Sequence, residues 1–247
     1  MDALNFSLFP LVRKLRLRCP LGSDETNALL ALPLRLVEVD PTKYLVRQGE
    51  IAEDCCLILS GFASRSRNTG DKSRQILSVH LGGDLVDLHN NSADEADYDV
   101  QALTRIKVAY ISREAIFDLS EQYPAIRRAL WIDTLADMAT SREWLINIGR
   151  RNAIDRVAHL ICELTLRQET AGLCSGPDYE WPLTQEQLGD ATGLTSVHVN
   201  RMLKILRAEN VISCIKGRVT ILDWNKLKDR AQLSQNYLKS FRSPRFA

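Results

Sequence analysis

The chain has 247 residues, 45% hydrophobic and 26% charged, enough for two domains with their own cores and ordinary for a soluble globular protein. No apolar run reaches the roughly 18–20 residues that cross a membrane, and the N-terminal basic cluster in MDALNFSLFPLVRKLRLRC follows the first apolar stretch, the wrong order for a secretory signal, so a cytoplasmic protein is expected. The net charge of +1 hides a split: residues 1–149 carry 17 Lys+Arg against 21 Asp+Glu, and residues 150–247 carry 15 against 10, so a polyanionic partner should meet the second half.

The lead-in to about residue 30 reads as helical. From Leu36 to Ile111 the period is two, in short runs such as LVEVD, CLILSG, RQILSVH and KVAYIS. These are broken by Asp40-Pro41, Gly49-Glu50, Ser60-Gly61, Asn68-Thr69-Gly70 and Gly82-Gly83-Asp84. Many short strands at such intervals predict an antiparallel barrel, roll or sandwich. Asn90–Asp99 is acidic and reads as a solvated loop.

After Ile111 the period becomes helical. Ser112 can cap a short helix to Leu119, and Pro124 suits the first turn of a second helix running to about Ile148. Trp131, Leu135, Met138 and Leu145 on that helix form a heptad seam, interrupted by Arg142. The seam must be buried, either on the β-rich domain or across a dimer axis. Gly149 reads as a hinge or cap. Asn152–Gln168 is amphipathic through Ile154, Val157, Ile161 and Leu164, and Ala171–Pro182 reads as a loop.

The most informative stretch is LTQEQLGDATGLTSVHVNRMLKILRAENVIS, residues 183–213. Thr184 caps a short helix, Gly193 supplies a tight turn, and Thr195 caps a second helix to about Glu209. Small Gly189 lets the helices approach, and Val199 is placed for burial with Leu188, Leu194, Met202, Leu203 and Leu206. This is the helix-turn-helix pattern. Val211–Ile215, a Lys216-Gly217-Arg218 turn and Val219–Leu222 follow as a wing.

The second helix of such a motif enters the major groove. Candidate base contacts are Ser196, Val197, His198, Asn200 and Arg201: Arg201 could pair with guanine O6/N7, Asn200 could reach a base edge and Val197 a thymine methyl. Thr184, Gln185, Thr195, Lys204, Lys216 and Arg218 are candidate phosphate contacts, which position without reading sequence.

The expected fold is therefore α+β: a β-rich domain at residues 1–120 (a β-roll among the barrel, roll and sandwich alternatives), a long helix at 121–150 that is a candidate dimerisation helix, a winged helix-turn-helix at 151–230 and a basic tail at 231–247. The tail's Lys239, Arg242, Pro244 and Arg245 could lie near DNA or strap the dimer. The candidate dimer-interface residues are Trp131, Leu135, Met138, Arg142 and Leu145. No enzyme is expected, since the chain has four His and no G-x-S-x-G, P-loop or metal-ligand spacing. Its cysteines, Cys19, Cys55, Cys56, Cys162, Cys174 and Cys214, form no C-x-x-C pair and read as reduced thiols.

These features resemble the Crp/Fnr family, the cyclic-AMP receptor protein and its relatives, over nearly the whole chain. Beside the C-terminal motif, RQGE (Arg47–Glu50), LSGFA (Leu59–Ala63) and GGDLV (Gly82–Val86) resemble its β-roll punctuation. The resemblance implies a homodimer on a near-palindromic double-stranded DNA site, and RNA polymerase as a further partner. The 171–180 loop and the β-roll surface are the candidate contacts.

Three departures carry weight. Cyclic-nucleotide-binding members have a Gly-Glu pair after the Gly-Asp turn and later an Arg-Ser or Arg-Thr pair. Here Leu88 stands about where the Glu should be, and Ala96-Asp97 where the Arg pair should be. Asp94, Glu95, Asp97 and Asp99 would repel a phosphate, so neither cyclic AMP nor cyclic GMP is expected. Only Cys19 precedes residue 55, so no iron–sulfur cluster is expected. Val197 and Ser196 replace a family Glu and Arg while Arg201 is retained, which implies a different site with a shared G·C contact.

For the signal, haem through His80 or His89 is not expected, because a lone histidine in a β-rich domain is usually structural. An unidentified small molecule, or no ligand, sets the activity. The alternatives are a thiol switch through Cys55, Cys56 or Cys174, and a DNA-architectural protein without discrete regulation.

Overall fold

The structure is a computed structural model and describes residues 8–70, 73–88, 95–174 and 176–233. His89, Asp94 and the tail residues Lys239, Arg242, Pro244 and Arg245 lie outside the described residues. The chain forms two compact units, residues 1–67 with 78–138, and residues 68–77 with 139–247.

The first unit opens on α1 (Phe9–Arg18) and α2 (Ser23–Leu30). Seven strands follow: β1 (Arg35–Val39), β2 (Tyr44–Val46), β3 (Asp54–Ser60), β4 (Ala63–Asn68), β5 (Arg74–His80), β6 (Asp99–Ala102) and β7 (Ile106–Ser112). They make two antiparallel sheets, in the orders β1-β7-β3 and β2-β6-β4-β5. Period-two patterning explains the layers, because neighbouring strand residues point to opposite faces. Cys55 and Leu57 face a core with Leu15 of α1, Ile111, Ile116 and Ile126. Cys56 and Ile58 face the other core, with Val100, Ile106 and Val108. The adjacent cysteines thus enter different cores.

Gly61 turns β3 into β4 at φ +83, where a Cβ would lie 2.6 Å from the Arg105 carbonyl oxygen, so only glycine fits. Lys14 of α1 pins the Gly-Gly-Asp turn through Asp84 at 3.0 Å and reaches Asp133 at 2.7 Å.

Ser112 caps α3 (Arg113–Gln122), its hydroxyl accepting from the Ala115 amide. α4 spans Pro124–Arg150, so the helix continues through Gly149 and the expected hinge or cap there is not formed. Gly149 is exposed with open space at its Cβ, and the break comes at Asn152 instead. There the side-chain oxygen of Asn152 accepts from the Asp155 amide and starts α5 (Ala153–Ala171).

The second unit is built around α5, whose Val157, Ile161, Cys162, Leu164 and Leu166 are fully buried. The expected 171–182 loop contains a strand, β8 (Asp178–Glu180), which pairs antiparallel with β10 (Arg218–Ile221). Tyr179 gives the reason: it is 1% exposed and its hydroxyl bonds Glu169. α6 (Gln185–Thr192), α7 (Ser196–Ala208), β9 (Ile212–Ile215), β10 (Arg218–Ile221) and α8 (Trp224–Ala231) complete the unit, with sheet order β8-β10-β9.

Candidate nucleic-acid interface

The local sequence dictates the α6–α7 turn. Thr184 Oγ1 accepts from the Gln187 amide while Gln187 Oε1 accepts from the Thr184 amide, a complete capping box. Gly193 ends α6 at φ 67, a left-handed position. Thr195 then caps α7, accepting from the His198 amide at 3.3 Å. Gly189 permits the close crossing, since a Cβ there would sit 2.4 Å from the Leu194 carbonyl oxygen.

Burial separates the two faces of α7. Val199, Met202, Leu203 and Leu206 are buried with Leu188 of α6. Ser196, Val197, His198, Arg201 and Lys204 are exposed, and Asn200 is half-buried. Val197, Asn200, Arg201 and Lys204 fall at i, i+3, i+4 and i+7, one side of a helix. With Gln185 and Ser196 they line one shallow concavity. Val197 is 79% exposed, an apolar side chain on a polar face. Asn200 Nδ2 donates to Gln185 Oε1 at 3.0 Å, which ties the two helices together on this face.

Thr184 and Thr195 lie at the two helix N-termini, whose unsatisfied amides and dipoles favour an anion. The wing turns through Lys216 at φ 45 and Gly217 at φ 75, the two left-handed residues of a tight hairpin. Lys216 and Arg218 are exposed at its tip. Arg218 also donates to the Asp178 carbonyl at 3.4 Å, which leans it toward β8.

The candidate dimer-seam residues on α4 are exposed. Trp131 is 64% exposed, Leu135 44%, Met138 52% and Leu145 73%, with Arg142 exposed among them.

Sequence reasoning missed a buried polar network where α4 meets α5. Arg151 Nη2 donates to Glu143 Oε1 at 2.5 Å and to the Gln232 carbonyl at 3.1 Å. His159 Nε2 lies 3.5 Å from the same Glu143 oxygen. Trp144 Nε1 donates to Glu163 Oε2 at 2.7 Å. The neighbouring His159, reinforced by Arg151, holds the Glu143 carboxyl down to about 2 against the cost of burial. The available signal was the i, i+4 spacing of Asp155, His159 and Glu163, which sets them on one side of α5 among Val157, Ala158, Leu160 and Ile161.

In the β-roll, Leu88 packs on the apolar core and Ala96 is buried in the other. The exposed Asp97 lies 3.7 Å from Arg67. The Arg65 guanidinium sits 4.3 Å over the Tyr98 ring and donates to the Val86 carbonyl. Asp87 accepts from the Cys56 amide at 2.8 Å and pairs with Arg113 at 3.3 Å. Burial pushes its carboxyl up, against those two partners. His80 is 5% exposed, 2.8 Å from Ser78 Oγ and 3.6 Å from Asp84. Burial pushes the Cys55 thiol up to about 12 and raises that of Cys56. Cys174 is half-buried. Among the described residues no three His, Cys, Asp or Glu side chains are grouped to hold a metal ion. Among them, too, no helix is long and apolar enough to cross a membrane.

Residues 155–230 match the Crp-like helix-turn-helix domain and residues 36–123 match the cyclic nucleotide-binding domain. The chain is 26% identical to the transcriptional activator protein FnrL of Cereibacter sphaeroides over 191 residues, 76% of each chain. It is 24% identical to the nitrogen fixation regulation protein FixK of Azorhizobium caulinodans over 184 residues, 74% of this chain and 71% of that one. In fold it is similar to FixK2 of Bradyrhizobium japonicum, with a TM-score of 0.74 at 20% identity, covering 82% of this chain and all of that one.

Proposed function

The chain belongs to the Crp/Fnr family of helix-turn-helix transcription regulators, and we propose that it acts in the cytoplasm as a homodimer on a near-palindromic DNA site. The face of α7 carries this reading: Val197, Asn200, Arg201 and Lys204 stand outward in one concavity while Val199 and Leu206 are fully buried behind them. Arg201 takes a guanine, Val197 a thymine methyl, and Ser196 and His198 reach flanking base edges. Thr184, Thr195, Lys204, Lys216 and Arg218 meet phosphates. The exposed stripe of Trp131, Leu135, Met138 and Leu145 covers the same stripe of a second copy, and two equivalent recognition helices then require a two-fold site. RNA polymerase is the further partner this reading implies. Chemistry on a substrate and membrane attachment form no part of it.

The β-roll of this chain does not suit a cyclic nucleotide. A phosphate needs cations or free amides, yet Leu88 and Ala96 are core residues, Asp97 is acidic, and Arg65 is committed to Tyr98 and Val86. Nor does the fold favour haem at His80, whose ring is buried between Ser78 and Asp84. A thiol switch at Cys55 or Cys56 would need thiolates that burial suppresses. Activity then follows an unidentified signal or is constitutive.

The test is selection from random duplex DNA by purified chain without ligand, near 0.15 M salt because phosphate contacts make affinity salt-dependent. The expected result is an enriched palindrome whose affinity falls about 5- to 150-fold in Arg201→Ala. Binding without any sequence preference would make the protein an architectural one and refute the reading.

A further inference from the structure

The hydrogen bond from Asn200 to Gln185 has a consequence for which base pair is read. Gln185 is the first residue of α6, and Asn200 stands on the outward side of α7. Asn200 Nδ2 donates to Gln185 Oε1 at 3.0 Å, and both side chains line the concavity that holds Val197 and Arg201.

An asparagine amide offers two N–H donors and one acceptor oxygen. With one donor given to Gln185, Asn200 keeps one N–H and Oδ1, side by side in a plane the bond fixes. That donor–acceptor pair is complementary to the major-groove edge of adenine, which presents an N6 donor and an N7 acceptor. Guanine presents two acceptors there and suits it poorly. Without Gln185 the amide can turn over, exchanging donor and acceptor, and the preference is lost.

We propose that Asn200 reads an adenine beside the guanine taken by Arg201, and that Gln185 is the positioning residue that sets the Asn200 amide for it, rather than a phosphate contact. This rests on the DNA-binding reading above and assigns one position of its site.

The experiment is the same selection from random duplex DNA, run with full-length wild type, Gln185→Ala and Gln185→Glu, with a thermal melt of each. Gln185 is exposed, so both variants should fold. Glutamate keeps the acceptor oxygen and suits the first turn of a helix. The wild type should enrich a palindrome with an adenine in each half. Gln185→Ala should lower the preference for that adenine about tenfold and leave the guanine preference unchanged. Gln185→Glu should keep the adenine preference while binding every sequence more weakly, because its carboxylate repels DNA.

A uniform loss in Gln185→Ala, with every base preference intact, would make Gln185 a phosphate contact and overturn the proposal. So would loss of the adenine preference in Gln185→Glu, where the acceptor remains. A wild-type palindrome without the adenine overturns this inference alone. No wild-type palindrome overturns the DNA-binding reading with it.

Discussion

Replacing Arg151 with methionine keeps the apolar stem and removes the cation from the α4–α5 network. Arg151 is 7% exposed, and its guanidinium bonds Glu143 at 2.5 Å, Asn147 at 3.5 Å and the Gln232 carbonyl at 3.1 Å. Glu143 is 9% exposed, so its carboxylate would be left buried with His159 as the remaining partner within reach of Oε1. Breaking a buried ion pair by removing one partner costs about 3–5 kcal/mol. At about 4 °C per kcal/mol for a unit of this size, the thermal midpoint should fall by about 12–20 °C. A fluorescence melt reports it, because Trp144, next to Glu143 in α4, is buried and bonds Glu163. Adding Glu143→Gln to Arg151→Met removes the stranded charge and should recover part of the loss. A single variant melting within about 3 °C of wild type, or a double variant no better than the single, would refute the network's structural role.

The same carboxylate predicts an acid limb. Glu143 is held at about 2 in place of 4.5, so its stabilisation is complete above pH 4.5 and is lost as the pH falls toward about 2. Glu143→Gln should flatten that limb in urea melts taken down the pH scale, and an unaltered limb counts against the assignment. Gly189→Ala forces a Cβ to 2.4 Å from the Leu194 carbonyl. It should cost about 1–3 kcal/mol and abolish site binding, read by melting and by a DNA titration. Leu145→Glu, on a side chain 73% exposed, should halve the sedimenting mass and make the melting midpoint independent of protein concentration; an unchanged mass would place the dimer elsewhere. Cyclic AMP should leave the melt unmoved, whereas a true ligand at a hundred times its Kd adds about 2.7 kcal/mol.

The DNA-facing motif was legible because each of its constraints is local. A cap at Thr184, a left-handed Gly193 and a cap at Thr195 are written within twelve residues of sequence. An amphipathic helix then displays its outward set by period alone, which is why Val197, Arg201 and Lys204 emerged where the sequence put them. The strands of the β-roll were legible for a related reason, since alternation survives even where Cys55 and Cys56 serve opposite cores.

What escaped was settled by partners distant in sequence. β8 is a strand only because β10 lies beside it and Tyr179 has a core to enter. Gly149 reads as a break, but α4 runs to Arg150 because Glu143 and Asn147 in its last turns meet Arg151. The polar residues His159 and Glu163 look like a solvated face of α5, yet both are 0% exposed. Their burial is tolerable because Trp144, Arg167 and Glu143 arrive from other turns to meet them. The bond between Asn200 and Gln185 is the functional instance of the same rule. Each residue alone is one polar side chain on a helix surface. The turn at Gly193 brings them within hydrogen-bonding reach, and the pair acquires a donor–acceptor pattern that neither position states by itself.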